Sequence, residues 1–261
     1  MLPHHERALE KAKIRLLQQY PDLIAIIVGG SIAKKIERPE SDVDLIVVVS
    51  DSEFDKALRS CKIGFSWQDI CDYAGGYVEG RIVSKSFILC AARRGSDPTR
   101  SSFTGAFPMY CIDREVTDAL AAIPVFSDND KDVKIQAFLA QFLVNRGFFW
   151  NEGKRREDKY LQMRAITDIV LFGCRLILLE NNQLFACQKK LVEQTLKCEK
   201  LPANFKEKLE RLLHEMSHEA IEDFSKAVIE FREWPDGDRL SRFLKDVEIS
   251  WFTGTHAVSE W

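Results

Sequence analysis

The segment from Leu23 to Val49 constrains the fold more than any other part of this 261-residue chain. It begins with a short apolar run that ends at Gly29-Gly30, as expected for a buried strand followed by a tight turn. Ser31 then stands where a helix N-cap is expected. Pro39 ends that helix, and a second apolar run begins at Asp42. The sequence therefore predicts a strand, a glycine turn, a short helix and a second strand.

Two aspartates enter the second strand with one residue between them. Because side chains alternate faces along a strand, Asp42 and Asp44 project on one side, about 6–7 Å apart along the backbone. Carboxylates this close repel unless a cation lies between them, and a hard divalent ion such as Mg²⁺ prefers such oxygen ligands. Gly30 lets the backbone approach a ligand, and the N–H groups that open the next helix favour phosphate. This combination indicates phosphoryl or nucleotidyl transfer.

The pair Gly30-Ser31, followed by Asp42-Val43-Asp44 on a strand, resembles the signature of the polymerase-β-like nucleotidyltransferases. Within that superfamily the chain is most similar to the small antibiotic nucleotidyltransferases, of the aminoglycoside and lincosamide types, and their uncharacterised relatives. The resemblance implies an α/β fold followed by an all-α fold. The first would be a small mixed-sheet nucleotidyltransferase core, and the second a C-terminal helical bundle.

The family also uses a third carboxylate on a neighbouring strand, and the resemblance assigns it to Glu79, within a third predicted strand over residues 77–83. On pattern alone Glu79 fits an exposed hairpin acid equally well, and Asp69 and Asp72 are the alternatives. In relatives, a lysine at the position of Lys189 reaches across to the nucleotide phosphates; an ordinary exposed helix lysine is the other interpretation. The implied site is thus Asp42, Asp44 and Glu79 for catalysis and metal binding, with Gly30, Ser31, Ser41 and Lys189 for the nucleotide.

The composition changes at residues 124–130, where a turn and cap cluster precedes a long stretch with helical periodicity. We therefore predict a nucleotidyltransferase domain over residues 1–125 and a helical substrate-binding domain over residues 126–261. In the first domain, residues 65–73 are predicted as a strand and residues 93–102 as a solvated polar loop, with anion binding as its alternative. In the second domain, the predicted helices cover residues 133–150, 157–180, 184–197, 202–230 and 238–251.

One short motif favours a different chemistry. His214-Glu215-Met216-Ser217-His218 matches the HExxH pattern of zinc proteases. On a single helix this pattern places both histidines on one face and the glutamate where it can act as general base. The flanking residues are strongly charged and no third ligand is specified, so a zinc hydrolase is kept only as an alternative function.

The overall composition excludes several classes of protein. A net charge of −3 and a pI near 6.0 argue against a dedicated duplex-binding module, although a local basic patch is compatible with them. The seven cysteines are dispersed without a CxxC pair, which is typical of reduced thiols and predicts a cytoplasmic protein. The most apolar later segment, residues 166–179, is interrupted by charged residues, so no membrane span is predicted.

The expected reaction is Mg²⁺-dependent transfer of a nucleoside monophosphate, AMP from ATP or its equivalent from another nucleoside triphosphate, to a hydroxyl group of a small molecule. Antibiotics are among the candidate acceptors, and antibiotic resistance is therefore a candidate role. The general base stays open among Glu79, Glu152 and Asp168, although Arg164 offers Asp168 a structural partner one turn away. A catalytically inactive fold that serves as a binding or toxin–antitoxin partner is the other alternative.

Overall fold

The structure, a computed structural model, describes residues 1–254 and 257. The chain forms two compact units, Met1–Val125 and Phe126–Trp261. The helical domain predicted for residues 126–261 includes residues 255–256 and 258–261, which lie outside the described residues. Each unit is built around its own hydrophobic core.

The first unit contains a five-stranded mixed sheet with the strand order β3-β4-β2-β1-β5. Strands β2 and β4 run parallel, whereas the other neighbouring pairs are antiparallel. This arrangement, followed by a helical second unit, confirms the predicted fold class. The strands are β1 (Ala25–Val28), β2 (Val43–Val49), β3 (Gly64–Trp67), β4 (Val78–Ser84) and β5 (Phe107–Cys111).

Helices cover both faces of this sheet. On one face, the buried stripe of α1 packs on alternate residues of β2 such as Leu45 and Val47, together with α3 residue Phe54. On the other face, α4 and α6 pack against Ile46 and Val48. The helices of this unit are α1 (Pro3–Gln19), α2 (Gly30–Ala33), α3 (Asp51–Arg59), α4 (Lys85–Arg94), α5 (Asp97–Ser102) and α6 (Arg114–Ala122).

The second unit is helical throughout its described part and is centred on α9, a 22-residue helix that is largely buried. Aromatic rings fill the space around it, with Phe205 and Phe224 at a centroid distance of 5.4 Å. Gly173 on α9 allows this packing, because a β-carbon there would lie 2.9 Å from the Phe224 ring. The helices are α7 (Lys131–Val144), α8 (Trp150–Arg155), α9 (Lys159–Glu180), α10 (Leu191–Leu196), α11 (Phe205–Glu215), α12 (His218–Glu230) and α13 (Arg239–Leu244).

Several predicted elements differ from the observed ones. The strand predicted over residues 65–73 ends at Trp67, and β5 and α6 were not predicted. The helix predicted over residues 202–230 is broken, because Met216 adopts a left-handed conformation with φ 48° and Ser217 caps a new helix. The helix predicted over residues 133–150 is α7 continued by a π-helical turn at Asn145–Phe149.

The segment predicted as a solvated loop over residues 93–102 is also different, since it contains the end of α4 and the short helix α5. Arg100 is buried there, and its guanidinium donates hydrogen bonds to the carbonyls of Gly95, Ala92, Ile123 and Val125. Arg100 is therefore a structural residue that closes the loop after α6. Among the described residues, no helix combines the length and the apolar character needed to cross a membrane.

The fold makes a prediction about Gly80 in β4, where a β-carbon would lie 2.4 Å from the Phe65 ring and 2.9 Å from the Leu45 carbonyl oxygen. Gly80→Ala should lower the free energy of unfolding by about 1–3 kcal/mol through overpacking, as measured by denaturant titration. Gly64→Ala is the matched control, because a β-carbon there meets only the Gly80 carbonyl oxygen, at 3.8 Å. The cost of Gly80→Ala should shrink in a Phe65→Ala background, and an equal cost in both backgrounds would contradict the assigned cause.

Candidate active site

Three carboxylates meet where β2 and β4 run side by side. The parallel register pairs Asp44 with Glu79 directly, and Asp42 immediately precedes β2. One carboxylate oxygen from each of these three residues lies within 4.8 Å of the other two. Among the described residues this is the only group of three or more histidine, cysteine or acidic side chains close enough to share a metal ion. Oxygen-only ligands of this kind suit Mg²⁺ or Mn²⁺.

The electrostatics of Asp44 reflect this crowding. Burial is the largest cause that raises its pKa, and the negative charges of Asp42 and Glu79 raise it further, to about 6. Arg81 opposes this shift only in part. The carboxylate of Asp44 is therefore held in an environment that disfavours its charge unless a cation is present.

Asp42 is held by a hydrogen bond from a neighbouring tyrosine. The Tyr77 hydroxyl donates to Asp42 Oδ2 at 2.8 Å. This bond to a carboxylate raises the pKa of Tyr77 to about 12, so the hydroxyl stays protonated and remains a donor at neutral pH. Because Tyr77 directly precedes β4, the bond connects Asp42 to the strand that carries Glu79.

The glycine turn lies directly against Asp44. Gly30 has φ +62°, and a β-carbon there would lie 1.6 Å from Asp44 Oδ2, so no other residue fits without displacing the carboxylate. Gly29 donates its N–H to the Asp44 carbonyl at 2.9 Å. Gly29, and not Ser31, is the N-cap of α2, so the predicted capping role of Ser31 is wrong. The Ser31 hydroxyl is buried and has no hydrogen-bond partner among the described residues.

A cavity of 490 Å³ opens beside these residues, a volume typical of small-molecule sites. Of the predicted site residues, Gly30, Asp44 and Glu79 line it. Ser41 lies just before Asp42, and its hydroxyl accepts a hydrogen bond from the Arg38 N–H at 2.9 Å. The full lining consists of Gly29, Gly30, Lys34, Asp44, Leu45, Ile46, Gly64, Phe65, Glu79, Gly80, Arg81 and Ser102.

Two cations that were not predicted as site residues also line this cavity, Lys34 and Arg81. Arg81 donates a hydrogen bond to the Ser102 hydroxyl at 2.6 Å, and the protein around it lowers its pKa by desolvation. Its side chain is accessible because it faces the cavity. The signal for Arg81 was present in the sequence, since strand periodicity places it on the same face as Glu79. Lys34 follows α2, and only the fold brings it to the cavity.

The alternatives for the third carboxylate have other partners. Asp69 forms an ion pair with Arg15 at 2.9 Å, and Asp72 forms one with Arg7 at 2.8 Å. Both arginines lie on α1, so these pairs fasten that helix to the loop between β3 and β4. Glu79 is the candidate that the structure brings beside Asp44.

The predicted site residues of the second unit lie on separate elements. Lys189 is exposed on the 3₁₀ turn Gln188–Lys190. Glu152 is paired with Arg155 and Arg156, whose hydrogen bonds lower its pKa to about 2. Asp168 accepts a hydrogen bond from Arg164 at 2.7 Å, as its spacing predicted, while burial raises its pKa. Both acids therefore have structural partners on their own helices.

The zinc-protease interpretation of residues 214–218 is wrong. His214 lies in the last turn of α11 and His218 begins α12, so the two histidines do not share one helix face. Glu215 is paired with Arg211 at 3.0 Å, and His218 Nδ1 lies 3.3 Å from the indole N–H of Trp150. The helix break at Met216 divides the motif between two helices, and the sequence pattern did not indicate this break.

Part of the first unit is similar in sequence to a known family. The family described as polymerase β nucleotidyltransferase matches residues 11–74, a region that contains Gly30, Asp42 and Asp44 but ends before Glu79. This match supports placement in the nucleotidyltransferase superfamily. No curated protein matches the chain significantly.

One solved structure that is similar to this chain is a nucleotidyltransferase-like protein from Exiguobacterium sibiricum. Its sequence identity to this chain is 12%, and the TM-score is 0.49. The alignment covers 96% of this chain and 91% of that one.

The raised pKa of Asp44 predicts a pH effect on the metal-free protein. Since the folded state binds this proton more tightly than the unfolded state, the contribution of Asp44 to stability falls as pH rises from 3.8 to about 6. Asp44→Asn, which carries no charge, should therefore be more stable than the wild type at pH 7 by about 1–3 kcal/mol, with the difference vanishing near pH 4. Denaturant titrations in EDTA across this range measure it.

Asp55→Asn is the matched control, because Asp55 is an exposed aspartate on α3. Because its side chain is exposed, Asp55→Asn should lack the gain in stability at pH 7 that is expected for Asp44→Asn. A stability difference for Asp44→Asn that does not change with pH would show that the folded protein does not disfavour the Asp44 charge.

Proposed function

We propose that this protein is a Mg²⁺-dependent nucleotidyltransferase that transfers a nucleoside monophosphate, AMP from ATP, to a hydroxyl group of a small molecule. The observation that supports this most directly is the convergence of Asp42, Asp44 and Glu79 beside a cavity that Asp44 and Glu79 line together with the Gly29-Gly30 turn. Neither half of this arrangement alone would specify the reaction, but carboxylates facing a close backbone turn suit a metal-bound phosphate group.

The donor set fits a divalent metal ion. Three carboxylates within 4.8 Å of one another repel, and this repulsion adds to burial, the larger cause, in raising the pKa of Asp44. Asp42, Asp44 and Glu79 would hold the ion. When bound, Mg²⁺ neutralises charge on the phosphate oxygens and polarises the phosphorus centre that is attacked.

The nucleotide phosphates need positive charge and donors from the protein as well. Gly30, Ser31 and Ser41 are the proposed phosphate-binding residues near the carboxylates. Lys34 and Arg81 add two cations from the same unit, and the planar guanidinium of Arg81 can donate two parallel bonds to phosphate. Lys189, which the family resemblance implies, remains a proposed contact in addition to these two cations.

The chemical step is a displacement at the α-phosphorus. The oxygen of the acceptor hydroxyl forms a bond to phosphorus, the bond from phosphorus to the oxygen that bridges to the β-phosphate breaks, and pyrophosphate leaves. We assign acceptance of the hydroxyl proton to Glu79, which lines the cavity. Glu152 is a weak base because its arginine partners lower its pKa to about 2, and Asp168 is occupied by Arg164.

The proposed substrate class comes from the resemblance to the antibiotic nucleotidyltransferases, so aminoglycosides and lincosamides are the first acceptors to test. Wild-type protein with Mg²⁺ and α-labelled ATP should transfer label to at least one hydroxyl-bearing compound in such a panel. Asp42→Asn and Asp44→Asn should each abolish transfer while circular dichroism shows an intact fold, because each removes one ligand charge. Asp55→Asn should retain full transfer, and full activity in either site variant would refute the mechanism.

The proposed phosphate contacts predict a second set of results. Arg81→Ala and Lys189→Ala should each weaken binding of ATP with Mg²⁺ by about 1.5–3 kcal/mol in calorimetry, the cost of a lost charge-assisted contact. Arg94→Ala and Lys190→Ala are the matched controls, since Arg94 bonds to Cys90 and Lys190 pairs with Glu193. If Lys189→Ala and Lys190→Ala behave alike, Lys189 does not contact the nucleotide.

A further inference from the structure

Three aromatic side chains from two distant segments surround the loop that leads into Asp42. His4 and His5 come from the first turn of α1, and Tyr73 comes from the loop before β4. Their rings form one cluster, with centroid distances of 4.2 Å between the histidines, 4.4 Å from His4 to Tyr73 and 5.2 Å from His5 to Tyr73. We call this set the His4–His5–Tyr73 cluster.

All three members of the cluster bond to backbone carbonyls of this loop. The Tyr73 hydroxyl donates to the Ser41 carbonyl oxygen at 2.8 Å, and His5 Nε2 lies 3.1 Å from the same oxygen. His4 Nε2 lies 2.9 Å from the Pro39 carbonyl oxygen. Because a carbonyl can only accept, each of these ring nitrogens must carry a proton. The Ser41 carbonyl thus receives two donors, one for each lone pair.

The protonation states keep these donors in place at neutral pH. Burial raises the pKa of Tyr73 to about 12, so its hydroxyl stays protonated. Burial also lowers the pKa of His5, which is fully buried and whose Nδ1 has no partner among the described residues. His5 is therefore a neutral imidazole whose single N–H is committed to the Ser41 carbonyl.

The Ser41 carbonyl belongs to the peptide group that joins Ser41 to Asp42, so fixing it fixes the start of the Asp42 backbone. The loop is also a tight turn, in which Ser41 N–H donates to the Arg38 carbonyl at 3.0 Å. On its other side Asp42 is held by Tyr77, at 2.8 Å. Tyr73 and Tyr77 lie four residues apart in the segment before β4, so this one segment contacts both the Ser41 carbonyl and the Asp42 carboxylate.

We propose that His5 and Tyr73 are positioning residues for metal binding: by holding the Ser41 carbonyl they set the orientation of Asp42 toward Asp44 and Glu79. His4 supports them through the Pro39 carbonyl. This inference rests on the proposed function, because it assumes that the three carboxylates hold a divalent ion. If the inference is correct, the first turn of α1 contributes to metal binding, although this turn lies far from Asp42 in the sequence.

The test uses the full-length protein and Mn²⁺ alone as probe, with free Mn²⁺ measured by electron paramagnetic resonance at a temperature where every variant is folded. Tyr73→Phe removes one donor and keeps the ring, and His5→Leu removes the other. Each should raise the Mn²⁺ dissociation constant about 10-fold, as expected for groups that orient a metal ligand. His5→Gln, which restores an N–H donor, should recover most of the affinity.

Tyr20→Phe is the matched control, since the Tyr20 hydroxyl bonds only to Gln19 among the described residues and should not affect the metal. Melting temperatures without metal separate positioning from a general loss of stability. If Tyr73→Phe and His5→Leu melt lower but bind Mn²⁺ like the wild type, their role is structural and the inference is wrong, while the proposed function stands. If the wild type itself does not bind Mn²⁺, the proposed function and this inference fail together.

Discussion

Three carboxylates within 4.8 Å of one another repel, and the folded first unit must compensate for that repulsion. Its effect is visible in Asp44, whose pKa rises to about 6 because burial and two neighbouring acids oppose its charge. The surrounding contacts hold the acids together: Tyr77 donates to Asp42, and the Gly30 backbone presses against Asp44 so closely that a β-carbon would collide with it. Such an arrangement is costly in the absence of a cation and favourable in its presence.

The sheet topology is what makes this proximity possible. Parallel pairing of β2 and β4 places Asp44 beside Glu79, and a parallel pair requires a crossover, which α3 and β3 provide. The loops that lead into β2 and β4 lie at the same end of the sheet, because these two strands are parallel. The tyrosines before β4 can therefore reach the loop before β2, and the first turn of α1 reaches the same loop. The proximity of the three carboxylates and the contacts around Ser41 and Asp42 thus derive from one structural feature, the parallel pairing of β2 and β4.

Strand periodicity was sufficient to predict that Asp42 and Asp44 share a face, because alternation is a local property of the chain. Glu79 required more, since pairing it with Asp44 depends on the register of two strands that are far apart in sequence. The resemblance supplied that position, and the structure places Glu79 beside Asp44. Lys34, His5 and Tyr73 could not be found in this way, because only the tertiary fold brings them to the site.

The incorrect predictions have equally local causes. The HExxH pattern is split by one left-handed residue, Met216, and L-amino acids adopt that conformation too rarely for a pattern to predict it. Arg100 lies in a stretch rich in polar residues, yet it is buried because backbone carbonyls of Gly95, before α5, and of Ile123 and Val125, after α6, accept hydrogen bonds from its guanidinium. In both cases the prediction failed because the residue types alone do not determine the conformation of the backbone around them.

Anomalous diffraction from crystals soaked in Mn²⁺ would show whether Asp42, Asp44 and Glu79 together bind a divalent metal ion. We expect an anomalous peak among the three carboxylate groups, and we expect its loss in crystals of Asp44→Asn. A peak at another position, or no peak among these carboxylates at saturating Mn²⁺, would contradict it.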